Sequence, residues 1–309
     1  MTSIALAAYN GEKYIREQLD SILAQTVTDW ELVAVDDCSS DGTLTILREY
    51  ATRDGRIRVY ANERNLGFRK NFERAMSLCC GDYIAFSDQD DVWYPDHLDR
   101  LLSGLGDCDL VTGNAMLADA GGRETGTTAR DTDRIVSVPT TPGESFFTML
   151  YRPYVQGSAS LARADFLKGC LPIPDGVRFH DQWFGMMAAL SGGVAYVPAC
   201  VLKYRMHGSN QTDHMRWNSL EKLREAFLGD GNRRIYREQL EFLLALEKYG
   251  VPGDRTPDLD RAVLFFRRLT TGRTLAVLPF WIGNYFKIYR SRNPLDFMLR
   301  AVRIFIFRR

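Results

Sequence analysis

Three carboxylates fall within four positions of FSDQDDVW, residues 86–93, where Asp88, Asp90 and Asp91 follow an apolar run. Like charges this close repel and raise one another's pKa unless something positive sits among them. A bound cation is the simplest compensation, and oxygen ligands suit Mg²⁺ or Mn²⁺ with positions left open for phosphate. The competing reading is an acidic turn capping a helix that starts near Pro95 and Asp96. A second acidic stretch, VDDCSSDGT at 35–43, holds Asp36 and Asp37, whose carboxylates could accept from a base N–H or from ribose hydroxyls; Asp41 and Gly42 there are ordinary turn chemistry. Tyr9 in AAYNGE offers a ring to stack on a nucleobase, although an aromatic at a strand end more often packs. In NERNLGFRKN, Arg64, Arg69 and Lys70 flank a glycine turn that opens a helix. Charge and free helix amides together favour a diphosphate, and a solvated basic loop is the alternative.

The elements that must hold these residues can be read from periodicity. Short apolar, β-rich runs at 3–9, 30–36, 57–61, 82–87 and 109–116 predict strands. Helical spacing appears between the first two, where Ile15, Leu19, Ile22 and Leu23 recur, and again at about 43–51 and 68–79. Strand alternating with helix predicts a mostly parallel sheet covered on both faces. Ligands of such sheets sit beyond the C-terminal strand ends. The polar stretches YNG, VDDCSSDG and SDQDD each follow a predicted strand, so they gather at that rim. Residues 118–145, rich in Gly, Thr and charge, predict a long loop or an excursion over the site. Beyond it the patterns predict a strand at 157–162, a helix over 181–191 and two strands at 193–197 and 201–206. From Trp217 onward the pattern is helical, which places a boundary near residue 215: a catalytic domain over 1–215 and a helical region over 216–309.

AAYNGEKYI, AVDDCSSDGT, NLGFRKNFERA and FSDQDDVW, in this order, resemble the nucleotide-sugar domain of family 2 glycosyltransferases, whose fold is the Rossmann-like GT-A type. FHDQW at 179–183 and YRMHGSNQT at 204–212 resemble the H-D-x-W and H-G-x-N motifs of its bacterial O-antigen and rhamnosyltransferase branch. The likeness covers roughly residues 1–215. It implies a mixed, mostly parallel sheet flanked by helices and a nucleoside-diphosphate sugar as donor. Tyr9 and Asp37 would contact the base, with Asn10, Asp36, Asn65, Gly67, Arg69, Lys70 and Gln89 completing the donor side. Asp88 would meet the ribose and the surroundings of the metal, Asp90 would hold the Mn²⁺ or Mg²⁺ of this D-x-D motif, and His207 would be a further metal or phosphate ligand. Asp181 would be the general base of an inverting transfer, or otherwise a helix N-cap. His180, Trp183 and Asp91 would lie on the acceptor side. Gln182 stands where close relatives often carry an aromatic residue. The implied acceptor is a glycan or lipid-linked oligosaccharide of a surface polysaccharide, and the implied sugar is rhamnose.

The chain's bulk properties frame these expectations. Its 309 residues are 45% hydrophobic and 25% charged, ordinary for a folded protein. The formal net charge is zero, yet residues 260–309 carry eleven Arg or Lys against Asp260 and Asp296, that is 11 − 2 = +9. With its Phe, Trp, Tyr and Ile, the segment 280–309 suits an anionic membrane interface, or alternatively a packed or dimer-forming helix. Nucleic acid is a poorer partner, because no recognised binding motif accompanies the charge. No secretory signal opens the chain and no apolar run is long enough to cross a bilayer. The expected location is therefore cytoplasmic, peripheral at the inner face of the plasma membrane. The six cysteines show no zinc or C-x-x-C spacing and are expected to be reduced and buried. A nucleotidyltransferase would share the acidic site but would want a Gly-rich loop with lysine after the first strand, where AAYNGEKY offers only Gly11 and Lys13. A dehydrogenase would need a G-x-G-x-x-G that is absent. A non-catalytic nucleotide-sugar-binding scaffold is the remaining alternative.

Overall fold

Four strands in the order β3-β2-β1-β4 run parallel, because the sequence alternates each with a helix that returns the chain to the same edge. They are β1 (Thr2–Ala8), β2 (Trp30–Asp36), β3 (Ile57–Ala61) and β4 (Tyr83–Asp88), connected by α1 (Ile15–Leu23), α2 (Thr43–Arg53) and α3 (Phe68–Leu78). All four strands and all three helices match the apolar runs and helical spacings of the sequence. β2 is buried along its whole length, as expected for a strand covered on both faces. Ile15, Leu19 and Ile22 of α1 and Phe72, Ala75 and Met76 of α3 bury one helix face each. Full burial of a single Leu or Ile is worth roughly 1.5–3 kcal/mol, so these stripes fix the helices on the sheet. β1 leads to β2 on one side and pairs with β4 on the other. That divergence opens a crevice at the C-terminal ends of β1 and β4, the general ligand position in open α/β sheets.

The sheet continues as β4-β8-β6-β9-β5, where β8 (Ser160–Arg163) runs antiparallel to both β4 and β6 and makes the sheet mixed. β5 (Val92–Trp93), β6 (Leu110–Ala118), β7 (Glu124–Thr128) and β9 (Val194–Arg205) complete it. The helices between them are α4 (His97–Leu105), α5 (Ala129–Asp133), α6 (Pro142–Tyr151), α7 (Ala164–Gly169) and α8 (His180–Leu190).

Two expectations need correction. The strands expected at 193–197 and 201–206 are one strand, β9, parallel to β6. Its register jumps from Thr112↔Tyr196 to Asn114↔Cys200, so a bulge absorbs the intervening residues, Pro198 with its missing N–H among them. The long loop expected over 118–145 contains β7, α5 and the start of α6. β7 pairs with β6 off the main path and is exposed along most of its length, so no buried face imposes a period of two on its sequence.

The computed structural model describes residues 1–133, 138–139, 141–208, 231–290, 294–301 and 304. Asn210 of the H-G-x-N stretch, the helical pattern SLEKLREAF and parts of 280–309 lie outside the described residues. The chain divides into two compact units. The first takes 1–132, 155–173 and 179–211; the second takes 133–154, 174–178 and 212–309. The described helices of the second are α6 and those at Gly231–Tyr249, Thr256–Thr270, Leu278–Tyr289 and Pro294–Ala301. Its interior is aromatic: Tyr151 meets Phe265, Phe266 and Phe280, while Trp281 and Tyr285 meet Phe297. No helix among the described residues is long and apolar enough to cross a membrane.

Candidate active site

The crevice at the ends of β1, β2 and β4 is walled by side chains that first organise one another. Asp37, buried just past β2, accepts from Asn62 Nδ2 at 2.6 Å and the Leu66 N–H at 2.8 Å through Oδ1, and from the Gly67 N–H at 2.8 Å through Oδ2. Its carboxylate thereby ties the loop before α3 to the strand end. Two oxygens offer about four lone-pair positions, so one remains for a base N–H. Gly67 has φ +82, a conformation glycine adopts without strain, and it stands at the N-cap of α3. Its N–H is shared with the Asn65 side chain at 3.0 Å. Asp36 is also buried; one oxygen accepts from the Ser39 N–H at 3.0 Å and the other has no partner among the described residues.

Across the crevice Tyr9 is half exposed, its ring free of the core. Gln89 makes a two-way bond with the Tyr9 backbone, accepting at 2.7 Å and donating at 2.9 Å. That amide therefore locks the ends of β1 and β4 together. Asn10, left-handed at φ 49, accepts from the Ser40 N–H at 2.8 Å and donates its own N–H to Ser39 Oγ. Lys70 pairs with Glu73 along α3 at 3.1 Å, and Arg69 reaches the Ile173 carbonyl at 3.4 Å.

Two residues distant in sequence, His207 and Asp181, come near the acidic stretch at the end of β4. His207 Nε2 lies 2.8 Å from Asp90 Oδ2. Burial first, then the charges of Asp90 and Asp181, push the Asp88 carboxyl up to about 8. Asp181, in the first turn of α8, accepts from the Gly157 N–H at 3.2 Å and the Gln182 N–H at 2.7 Å. Asp91 is wholly buried, and burial followed by the charges of Asp90 and Asp88 holds its carboxyl well above the usual range. It accepts from the Arg205 N–H at 3.3 Å.

The other two residues expected on the acceptor side, Trp183 and His180, are buried like Asp91. Trp183 is fully buried, with its indole N–H donating to the Cys170 carbonyl at 3.1 Å. His180 packs on Phe72 with ring centroids 4.2 Å apart and also against Phe86 and Phe184. Burial lowers its pKa, and neither ring nitrogen has a partner among the described residues. The cysteines are free, but only Cys79 and Cys170 are buried while Cys38 and Cys80 are exposed, which corrects the expectation of uniform burial. Sequence reasoning missed Arg205 and Tyr14: a guanidinium 2% exposed at the end of β9, and a ring that stacks on His207 at 4.7 Å. YRMHG and GEKYI contain both, yet nothing in either stretch indicates that they meet.

Among the described residues no three potential metal ligands are already grouped. The donor set nevertheless fits a divalent cation: one carboxylate oxygen and one imidazole nitrogen lie in contact, beside a carboxyl raised by burial and, less, by the neighbouring carboxylates. A cation there would rest on Asp90 and His207, with remaining positions taken by donor oxygens.

Known proteins agree with this architecture. The family described as Glycosyl transferase family 2 matches residues 3–170. The putative glycosyltransferase EpsH of Bacillus subtilis is 30% identical over 260 residues, covering 79% of this chain and 74% of that protein. The putative teichuronic acid biosynthesis glycosyltransferase TuaG of the same organism is 36% identical over 124 residues, covering 39% of this chain and about half, 49%, of its own length. A structure of the mannosyltransferase PcManGT from Pyrobaculum calidifontis, in complex with GDP-Man and Mn²⁺, superposes with a TM-score of 0.60 at 18% identity, covering 97% of this chain and 78% of that one. At that identity the likeness is one of fold.

Proposed function

Because the chain belongs to glycosyl transferase family 2 and is a glycosyltransferase, we propose that it moves a sugar from a nucleoside-diphosphate donor, with inversion and with a divalent cation, onto a growing cell-surface polysaccharide. The observation that carries this reading is the convergence of Asp88, Asp90, His207 and Asp181 at the end of β4. The relatives' names support the acceptor class, since TuaG is assigned to teichuronic acid biosynthesis. Likeness of FHDQW and YRMHG to the rhamnosyltransferase branch favours rhamnose as the sugar.

In this mechanism the Tyr9 ring stacks on the base and the free lone pair of Asp37 accepts from it. Asp88 receives the ribose, and Asp90 with His207 would hold the cation, which would supply Lewis-acid stabilisation of the leaving diphosphate. Asp181 retains lone pairs beyond its two amide bonds, and these accept the proton of the attacking hydroxyl. A single base and a single displacement invert the anomeric centre.

The test is a melting-temperature panel of UDP, GDP and dTDP and their sugars, each with Mn²⁺ and with chelator, together with transfer assays. A shift that needs both cation and one particular base supports the reading, since ligands bound to the native state stabilise it. Asp181→Asn should retain that shift and lose transfer by roughly 10²–10⁴-fold, the usual contribution of general base catalysis. No shift from any nucleotide with folded protein would overturn it.

The second unit supplies a docking face for the same reading. Ile282 and Phe286 on one helix, and Leu295 and Met298 on the next, are exposed, while Trp281, Tyr285 and Phe297 pack on one another. Exposed Lys287 lies on the first of these helices and exposed Arg273 precedes it in the chain. Aliphatic residues among cations suit an anionic bilayer surface, where a lipid-linked acceptor would reside. A second copy of the same basic face would be repelled.

A further inference from the structure

We propose that Arg205 and Tyr14 are positioning residues that set the separation of Asp90 and His207. The proposal rests on the reading that these two residues take the cation. Arg205 sits at the end of β9 with its side chain 2% exposed. Its Nε donates to the Asp90 carbonyl at 3.0 Å, one terminal nitrogen donates to the Ala120 carbonyl at 3.3 Å, and the other meets Glu17 Oε2 at 2.5 Å. Its backbone N–H holds Asp91 Oδ1. Glu17 balances the buried charge, without which burial of a guanidinium would be strongly unfavourable.

The same guanidinium lies 4.9 Å from the centroid of the Tyr14 ring, and that ring stacks on His207 at 4.7 Å with planes 21° apart. His207 returns to Asp90 through its 2.8 Å contact. The contacts therefore close a ring: the Asp90 carboxylate to His207, His207 to Tyr14, Tyr14 to Arg205, and Arg205 to the Asp90 carbonyl. Both ends of Asp90 are held, the carbonyl by Arg205 and the carboxylate by His207, on which Tyr14 stacks. The turn after β6 is shaped for this arrangement, because a Cβ at Gly122, φ +80, would lie 3.0 Å from an Arg205 terminal nitrogen. A planar fork that bonds in several directions at once is a property of arginine that lysine lacks.

The experiment is Mn²⁺ binding by the full chain, read from loss of the free-ion EPR signal with UDP, GDP or dTDP present, beside the melting temperature of the metal-free protein. Residues that orient metal ligands typically contribute 10–100-fold to affinity, so Tyr14→Leu should weaken Mn²⁺ by about tenfold or more. Tyr14→Phe, which keeps the stack, should bind as wild type. Arg205→Lys keeps the charge and should weaken Mn²⁺ similarly, which preserves the test if the leucine variant folds poorly. A merely structural role would lower the melting temperature and leave the affinity of folded protein unchanged; that result overturns the proposal. Failure of wild type to bind Mn²⁺, or wild-type affinity in Asp90→Asn, overturns the underlying site reading and is seen without either positioning variant.

Discussion

At the scale of single residues, this site is built from carboxylates whose partners differ although their sequence contexts look alike. Asp36 and Asp37 are adjacent and both buried, yet Asp37 takes three hydrogen bonds from the loop before α3 while Asp36 leaves one oxygen without a partner among the described residues. Asp37→Asn would turn an amide N–H toward the backbone donors of Leu66 or Gly67. An unsatisfied buried polar group costs about 1–3 kcal/mol, so this variant should melt lower and raise the donor KM, measured together on one preparation. Gln89 teaches a related point. The D-x-D pattern leaves its position open, but its amide bridges the Tyr9 backbone in both directions. Gln89→Ala should therefore disturb the end of β1 and weaken nucleotide binding without touching the acid cluster, a loss visible in the melting shift given by the favoured nucleoside diphosphate.

At the scale of elements, α4 shows how packing sets a titration. His97 opens that helix wholly buried, stacked on Trp93 at 3.7 Å, with Nδ1–H donating to the Val201 carbonyl at 3.1 Å. Burial pushes its pKa down to about 3, against about 6.5 for a free imidazole. Between these values the unfolded chain holds a proton that the folded chain does not. This group therefore leaves stability untouched above pH 6.5 and erodes it as the pH falls from about 6.5 toward 3, by at most about 1.4 kcal/mol per unit. Chemical denaturation of wild type and His97→Gln across that range checks the sign: the variant should show the shallower decline. The elements also differ in how far the sequence disclosed them. β1 to β4 and α1 to α3 carry buried stripes or runs, and these are periodic. β7 is exposed, and the bulge in β9 falls between two apolar halves that look like separate strands.

At the scale of the whole molecule, charge separates along the chain, with +9 in residues 260–309 and the compensating −9 before them. The exposed aliphatic face of the second unit should bind vesicles containing anionic lipid and release them at high salt, since screening weakens surface attraction. Sedimentation with phosphatidylglycerol vesicles is the measurement. Ile282→Glu combined with Met298→Glu should abolish binding, whereas a salt-insensitive dimer broken by the same pair would assign the face to a second copy. Composition and local order alone determined that the protein folds around an α/β sheet, that acidic and basic stretches meet at one rim of it, and which family it resembles. Those properties depend on residues close in the chain, where periodicity and motif spacing are visible. The tertiary structure alone decided that His207 lies against Asp90, more than a hundred residues away, that Trp183 is spent on packing, and that Arg205 holds the Asp90 loop. Such contacts join elements brought together by sheet order, and a linear sequence records neither that order nor which polar partner each buried group finds.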